Sequence, residues 1–103
     1  MSTETEEMLA NFVRLLIDKT KQGKIIWKLS HGQCYYFVKE PLTFTVWYKT
    51  TGVVLTIYHK NKKKVIPEIS MDPALYDLYS AVEDQFLPPK IKEILLYLER
   101  NDE

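Results

Sequence analysis

The stretch "CYYFVKEPLTFTVWYKTTGVVLTIYHK", residues 34–60, decides the fold because apolar and polar side chains alternate along three consecutive runs. Such alternation has the two-residue period of a β-strand, so the runs predict three strands joined by the turns "KEPL" and "KTTG". A four-residue loop at 49–52 places Tyr48 opposite Val53 and keeps the apolar residues of both strands on one face. A slip of one residue would mix them with the polar set, so we expect this register.

The segment "KIIWKLS", residues 24–30, alternates in the same way and predicts a first strand. His31 and Gly32 fit a two-residue turn, since both residue types accept a positive φ. With that turn Trp27 lies opposite Tyr36, and both side chains face the core.

Pro41 leaves more than one register open between the second and third strands. A loop of residues 40–42 places Tyr36 opposite Val46, and we expect this register. A short fifth strand, "KVI" at 64–66, can follow the lysine-rich turn and stop at the next proline, which lacks an amide donor. The sequence therefore predicts a four- or five-stranded antiparallel meander.

A helix precedes the sheet. Thr3 and Glu6 have the T-x-x-E spacing of a capping box, and apolar residues then recur at helical spacing as far as Leu16. Gly23 is a left-handed stop. These signals predict a helix over residues 4–21.

Two helices follow the sheet. Asp72 before Pro73 is typical of an N-cap and the first helical residue, and Pro89 can open a last helix after the "LPPK" break. The apolar stripes of these helices are Leu75, Leu78, Tyr79, Val82 and Phe86, and then Ile91, Ile94, Leu95 and Leu98. We predict a single two-layer α+β domain, residues 1–103, whose helices cover one face of the sheet.

The predicted registers divide the aromatic residues between two faces of the sheet. The core face carries Ile25, Trp27, Leu29, Tyr36, Val38, Phe44, Val46, Tyr48, Val53, Leu55 and Ile57. The other face carries Ile26, Lys28, Tyr35, Phe37, Thr43, Thr45, Trp47, Val54, Thr56 and Tyr58. An antiparallel sheet usually shows polar residues on its wet side, so these rings need a cover. That cover is a helix of the same chain, a dimer partner, a ligand or a different protein.

Charge and cysteine content exclude several classes of protein. Lysine plus arginine equals aspartate plus glutamate, at 14 each, which argues against a long nucleic-acid footprint. The single cysteine, Cys34, cannot form an intrachain disulfide, so we expect a reducing compartment, the cytoplasm. The acidic N-terminus does not have the pattern of a signal peptide, and no apolar run reaches the length of a membrane span.

No residue pattern indicates catalysis, a metal or a cofactor. Cys34 lies three residues from His31 across a turn, but it faces the predicted core and no third group orients such a pair. The two histidines and the cysteine lack metal-ligand spacing, and no glycine-rich phosphate loop is present. Distant carboxylates such as Glu40 and Glu68 could still meet at one edge. We expect a non-enzymatic protein.

The outward rings and the lysines near them form the candidate binding site, which comprises Trp47, Tyr35, Phe37, Tyr58, Lys28 and Lys60. We expect a protein partner there, either a different protein or a second copy of the chain. The alternative is a small nucleotide or a short single strand of nucleic acid, whose bases stack on rings while lysines contact phosphate. The lysine run at 60–64 is either a solvated turn, whose charges disfavour pairing of the sheet edge with another chain, or part of that anion site.

The stretch "LLIDKTKQGKIIW", residues 15–27, resembles the opening of many short uncharacterised bacterial and phage proteins, in which a helix ending in K-x-G leads into a strand with I-x-W. The matching residues are Lys21, Gly23, Lys24, Ile25 and Trp27. The helix "LYDLYSAV", residues 75–82, resembles their C-terminal half. The resemblance implies a small non-enzymatic accessory protein, of a class in which some members act on defence systems or toxins, and it carries over no functional residue.

Overall fold

An N-terminal helix, a five-stranded antiparallel meander and two C-terminal helices follow one another in the computed structural model, which describes residues 3–61, 63–70 and 72–100. The helices are α1 (Thr3–Lys21), α2 (Ala74–Asp84) and α3 (Leu87–Arg100). The strands are β1 (Lys28–Leu29), β2 (Cys34–Lys39), β3 (Leu42–Lys49), β4 (Gly52–His59) and β5 (Ile69–Ser70), and they pair in sequence order. The predicted α+β architecture and its element order are confirmed.

Helices α1 and α2 pack on one face of the sheet and enclose the core with it. Val13 on α1 and Leu75, Leu78 and Val82 on α2 are fully buried, as the helical periodicity predicts. The sheet supplies Trp27, Tyr35, Phe44, Val46, Val53, Leu55, Ile57 and Ile69. Full burial of an aliphatic or aromatic side chain is worth about 1.5–3 kcal/mol, so this face holds the two layers together.

The register between β3 and β4 is the predicted one. Tyr48 pairs with Val53, Val46 with Leu55, and the strands continue to Lys49 and Gly52. Alternate residues of the two strands therefore face the core, and the central strands set which side of the sheet the helices cover.

The predicted register of β2 is wrong by one residue on both sides of the strand. The first turn has three residues rather than two, because the Ser30 amide donates to the Cys34 carbonyl at 2.9 Å. The second turn is shorter than expected, because Lys39 pairs with Leu42. Tyr35 and Phe37 consequently face the core, and Tyr36 and Val38 take the outer face.

Aromatic packing explains why β2 adopts this register. Tyr35 is 5% exposed, and its ring centroid lies 4.9 Å from that of Phe86 and 5.6 Å from that of Tyr79. The Phe37 ring stacks on Phe44 at 4.5 Å and meets Trp27 edge-on at 4.7 Å. Such pairs contribute about 0.5–1.5 kcal/mol each beyond their burial.

The exposure of other side chains differs from expectation because of their place in the sheet. Leu29, Val38 and Tyr48 were expected in the core but are exposed: Val38 is on the outer face, and the other two lie at strand ends. Val54 and Thr56 are buried although they face outward, because β4 has a strand on each side.

The two edge strands are shorter than the sequence suggests. Residues 24–27 do not pair as a strand, and β1 begins only at Lys28. The expected fifth strand at 64–66 is also wrong: Lys64 forms an isolated bridge with Tyr58, and the strand itself is β5, beyond Pro67. Pro67 cannot donate to a ladder, so pairing resumes only after it.

The helix ends follow the capping signals in part. Gly23 has a φ of 74° and the Lys24 amide donates to the Lys19 carbonyl at 2.9 Å, which closes α1 as expected. Thr3 already lies in α1, so it is not the residue that precedes the helix. Asp72 Oδ1 accepts from the Ala74 amide at 2.9 Å, but α2 begins at Ala74, so Pro73 rather than Asp72 occupies the N-cap position.

Helix α3 does not pack on the sheet, contrary to expectation. It begins at Leu87, two residues earlier than predicted, with both prolines in its first turn, where an amide is not needed. No residue of α3 is buried. The molecule measures 62 × 29 × 28 Å with a radius of gyration of 16.2 Å, against about 13 Å for a compact chain of this length. Helix α3 therefore projects from a compact body.

Adjacent tyrosines on β2 test the corrected register. We expect Tyr35→Ala to lower the free energy of unfolding by about 3–5 kcal/mol, because it empties a core position beside two rings. Tyr36→Ala, on the outer face, should cost about 1 kcal/mol or less. Urea denaturation followed by tryptophan fluorescence measures both. A larger loss of stability in Tyr36→Ala than in Tyr35→Ala would contradict the observed register and support the one expected from sequence.

Candidate functional site

Trp47 faces outward as predicted, and the chain's own side chains partly cover it. His31 meets the indole edge-on with ring centroids 5.9 Å apart, and Lys49 Nζ lies 4.9 Å from the Trp47 ring centroid. The residue keeps 39% of its surface exposed. Trp47 is thus a sheltered surface ring that is held between a histidine and a lysine.

The other five predicted site residues do not gather around Trp47. Tyr35 and Phe37 lie on the opposite, core face. Tyr58 is on the outer face but pairs with Thr43, four residues along β3 from Trp47, or about 13 Å at the usual rise per residue. Lys28 is on the far edge strand and Lys60 follows β4 in a turn. Lys62, from the same lysine run, lies outside the described residues.

Cys34 and the carboxylates named from sequence are not arranged for chemistry. Burial raises the pKa of the Cys34 thiol and outweighs the opposing effect of Lys49, so the reactive thiolate is disfavoured. Glu68 lies 4.0 Å from Lys49 at one end of β3, whereas Glu40 is in the turn before its other end. Within the described residues no cluster of histidine, cysteine and carboxylate side chains could hold a metal ion.

The first surface that sequence reasoning missed is the apolar face of α3. Leu87, Ile91, Ile94 and Leu98 are spaced four, three and four residues apart, so they form one stripe, and all four are exposed. Leu95 and Tyr97 flank the stripe and are exposed too. The periodicity predicted an apolar stripe of Ile91, Ile94, Leu95 and Leu98, without Leu87, but it could not show that the sheet leaves this side of α3 uncovered.

The second surface is a groove of about 400 Å³ between the end of α1 and the exposed edge of β2. Its apolar lining is Phe12, Leu16, Ile25, Ile26, Tyr36, Phe37, Val38 and Phe44. Four lysines complete it, namely Lys19, Lys24, Lys28 and Lys39, and no acidic residue lines it. Lys28 and Phe37 were predicted site residues, but the structure places them here rather than beside Trp47. We call this surface the lysine groove.

Ile25 and Ile26 form one wall of the lysine groove, and Gln85, which directly follows α2, bonds the backbone around them. Gln85 Oε1 accepts from the Trp27 amide at 2.9 Å, and Gln85 Nε2 donates to the carbonyl of Ile25 at 2.6 Å and to that of Thr20 at 3.2 Å. The Trp27 indole Nε1 donates to Thr20 Oγ1 at 3.0 Å. These bonds fix the chain entering β1 against the ends of α1 and α2.

Comparison with known proteins adds no function to this geometry. No family model, curated protein or solved structure matches the chain. None of the described helices has the length and apolar character needed to cross a membrane. Any functional proposal therefore rests on α3 and the lysine groove.

Replacing Gln85 tests whether one side chain fixes the groove wall. We expect Gln85→Ala to lower the free energy of unfolding by about 2–3 kcal/mol, because it leaves the Trp27 amide and the Ile25 carbonyl without their protein partner. The matched control is Gln22→Ala. Gln22 is an exposed glutamine just after α1, so its replacement should change the free energy of unfolding by less than ~0.5 kcal/mol. Equal effects in urea denaturation would show that the Gln85 bonds do not organise this region.

Proposed function

We propose that this chain is a non-enzymatic protein-binding module that pairs with a second copy of itself through α3. The observation that carries the proposal is the exposed apolar stripe of α3, defined by Leu87, Ile91, Ile94 and Leu98. This surface replaces the aromatic sheet face that the sequence suggested for the same role.

An isolated helix of this kind needs a partner. Helices shorter than about 12–15 residues are marginal in water, and most helical stability in proteins comes from packing an apolar face. Helix α3 has 14 residues, and none of them is buried. An apolar patch of this extent on a water-exposed helix typically marks an interaction surface.

A second copy fits the stripe because the stripe is symmetric. Its spacing of four, three and four residues reads the same in both directions, so two antiparallel α3 helices place Leu87 opposite Leu98 and Ile91 opposite Ile94. No charged residue lies within the stripe. Lys90, Lys92, Glu93, Glu99 and Arg100 mix both signs outside it, so two copies do not bring like-charged blocks together.

The size of α3 sets the expected affinity. Fourteen residues make a helix about 21 Å long, so a pair of them buries an area at the low end for stable protein–protein contacts. We therefore expect a dimer with a dissociation constant on the order of micromolar, which responds to protein concentration.

The wider setting of the module rests on sequence alone. We propose that it acts in the cytoplasm, in keeping with one buried cysteine, and as an accessory protein of the bacterial or phage kind that it resembles. The nucleotide alternative stays a prediction from sequence, supported by the contact between Trp47 and Lys49, although neither Tyr35 nor Tyr58 lies beside them.

Light scattering over a concentration series tests the dimer. We expect the mass to rise from one chain towards two across the micromolar range, and we expect Ile94→Gln with Leu98→Gln to keep the protein monomeric. Glutamine retains helix propensity while it removes the apolar stripe.

The control for this test lies on the far side of the same helix. Glu93→Gln with Arg100→Gln leaves the net charge and the stripe unchanged, so it should dimerise like the parent chain. A parent chain that stays monomeric at the highest concentration would contradict self-pairing, and so would a control that is impaired as strongly as the stripe variant.

A further inference from the structure

The lysine groove is a second candidate surface, separate from the apolar stripe of α3. We propose that it accepts an extended acidic segment of a protein partner, which adds to the sheet as a strand beside β2. This inference goes beyond self-association and names the chemistry of a different partner.

The edge of β2 is open where the groove begins. The Tyr48 amide donates to the Gln33 carbonyl and the Ser30 amide donates to the Cys34 carbonyl. Backbone groups alternate sides along a strand, so Val38, like Cys34, turns its amide and carbonyl towards β1 rather than β3. The first residue of β1, Lys28, lies opposite Tyr36. No strand residue therefore lies opposite Val38, and its backbone faces an open edge.

The chain does not close this edge by itself. A longer β1 would place Ile26 opposite Val38, but β1 begins at Lys28 and Ile26 lies outside the strand. Unpaired strand edges bind extended peptides by main-chain hydrogen bonds, while side-chain pockets select the sequence. The apolar floor of Phe12, Phe37 and Phe44 provides such a pocket.

Charge selects an acidic occupant. The four groove lysines lie on α1, on the segment before β1, on β1 and at the end of β2, and no aspartate or glutamate lines the groove. Among the described residues, the ion pair between Lys49 and Glu68 involves none of the four groove lysines. Their positive charges are left for a ligand, and an extended chain that alternates acidic with apolar side chains meets both the lysines and the floor.

Fluorescence anisotropy with a labelled peptide that alternates glutamate with valine tests this site. We expect saturable binding that weakens as salt rises, because the charge contacts are exposed to solvent. Lys24→Glu with Lys39→Glu should weaken binding about tenfold or more by reversing two of the four charges. Lys60→Glu with Lys64→Glu makes the same change in net charge away from the groove and should bind like the parent chain.

Strand addition is tested on the ligand, which avoids any effect on protein folding. A glutamate–valine peptide N-methylated at alternate residues, on the edge that would pair with β2, should lose at least about tenfold in affinity because its amides cannot donate to Val38. The same peptide methylated on the other edge should bind normally. Equal binding of both methylated forms would overturn the strand geometry.

Three further outcomes would overturn the proposal. The first is that a lysine–valine peptide binds as tightly as the acidic peptide. The second is that the Lys60 and Lys64 variant loses as much affinity as the Lys24 and Lys39 variant. The third is that the groove binds laurate but not the acidic peptide, which would make it an amphiphile site. Performing the titration with the Ile94→Gln and Leu98→Gln variant separates the two surfaces. We expect unchanged peptide affinity in that monomer, whether or not the parent chain dimerises.

Discussion

The side chain of Gln85 connects the end of α2 to residues 20–27, which are distant from it in sequence, and both candidate surfaces border this junction. Its amide group bonds the end of α1 at Thr20 and the approach to β1 at Ile25 and Trp27. Trp27 adds an indole bond to Thr20 and is 2% exposed. A glutamine amide offers two donors and an acceptor, so one residue can satisfy backbone groups of both polarities where helices and sheet meet.

The geometry of that junction determines what remains open. Because Gln85 follows α2 directly, its bonds fix the point from which the chain turns into α3. It also bonds the backbone at Ile25 and Trp27, just before β1 begins at Lys28, and the backbone of Val38 has no strand opposite it. The point from which α3 projects and the wall of the lysine groove at Ile25 thus meet at one junction of hydrogen bonds.

Sequence patterns predicted the elements better than they predicted the pairing between them. The β3–β4 register followed from alternation on both strands, because only one register kept Tyr48 and Val53 on the same face. The turns on either side of β2 were each misjudged by one residue, in opposite directions. The two errors cancel for β1, so Trp27 was correctly placed in the core, but they reversed β2 and moved Tyr35 and Phe37 to the wrong face. Turn length depends on local hydrogen bonds, such as that from the Cys34 amide to the His31 carbonyl, which hydrophobic period does not encode.

The two candidate surfaces could not be predicted from the sequence, for a different reason. Periodicity shows that a helix has an apolar face, but it does not show what covers that face. In this fold Tyr35 and Phe86 fill the space at the end of α2. The core beneath α1 and α2 contains no residue of α3, and the apolar stripe around Ile94 does not pack against that core. Likewise, Lys19 and Lys39 are far apart along the chain, and only the meander brings them to the same groove. A core that closes without its last helix leaves the apolar stripe of that helix exposed, and this is the physical basis of the proposed binding role.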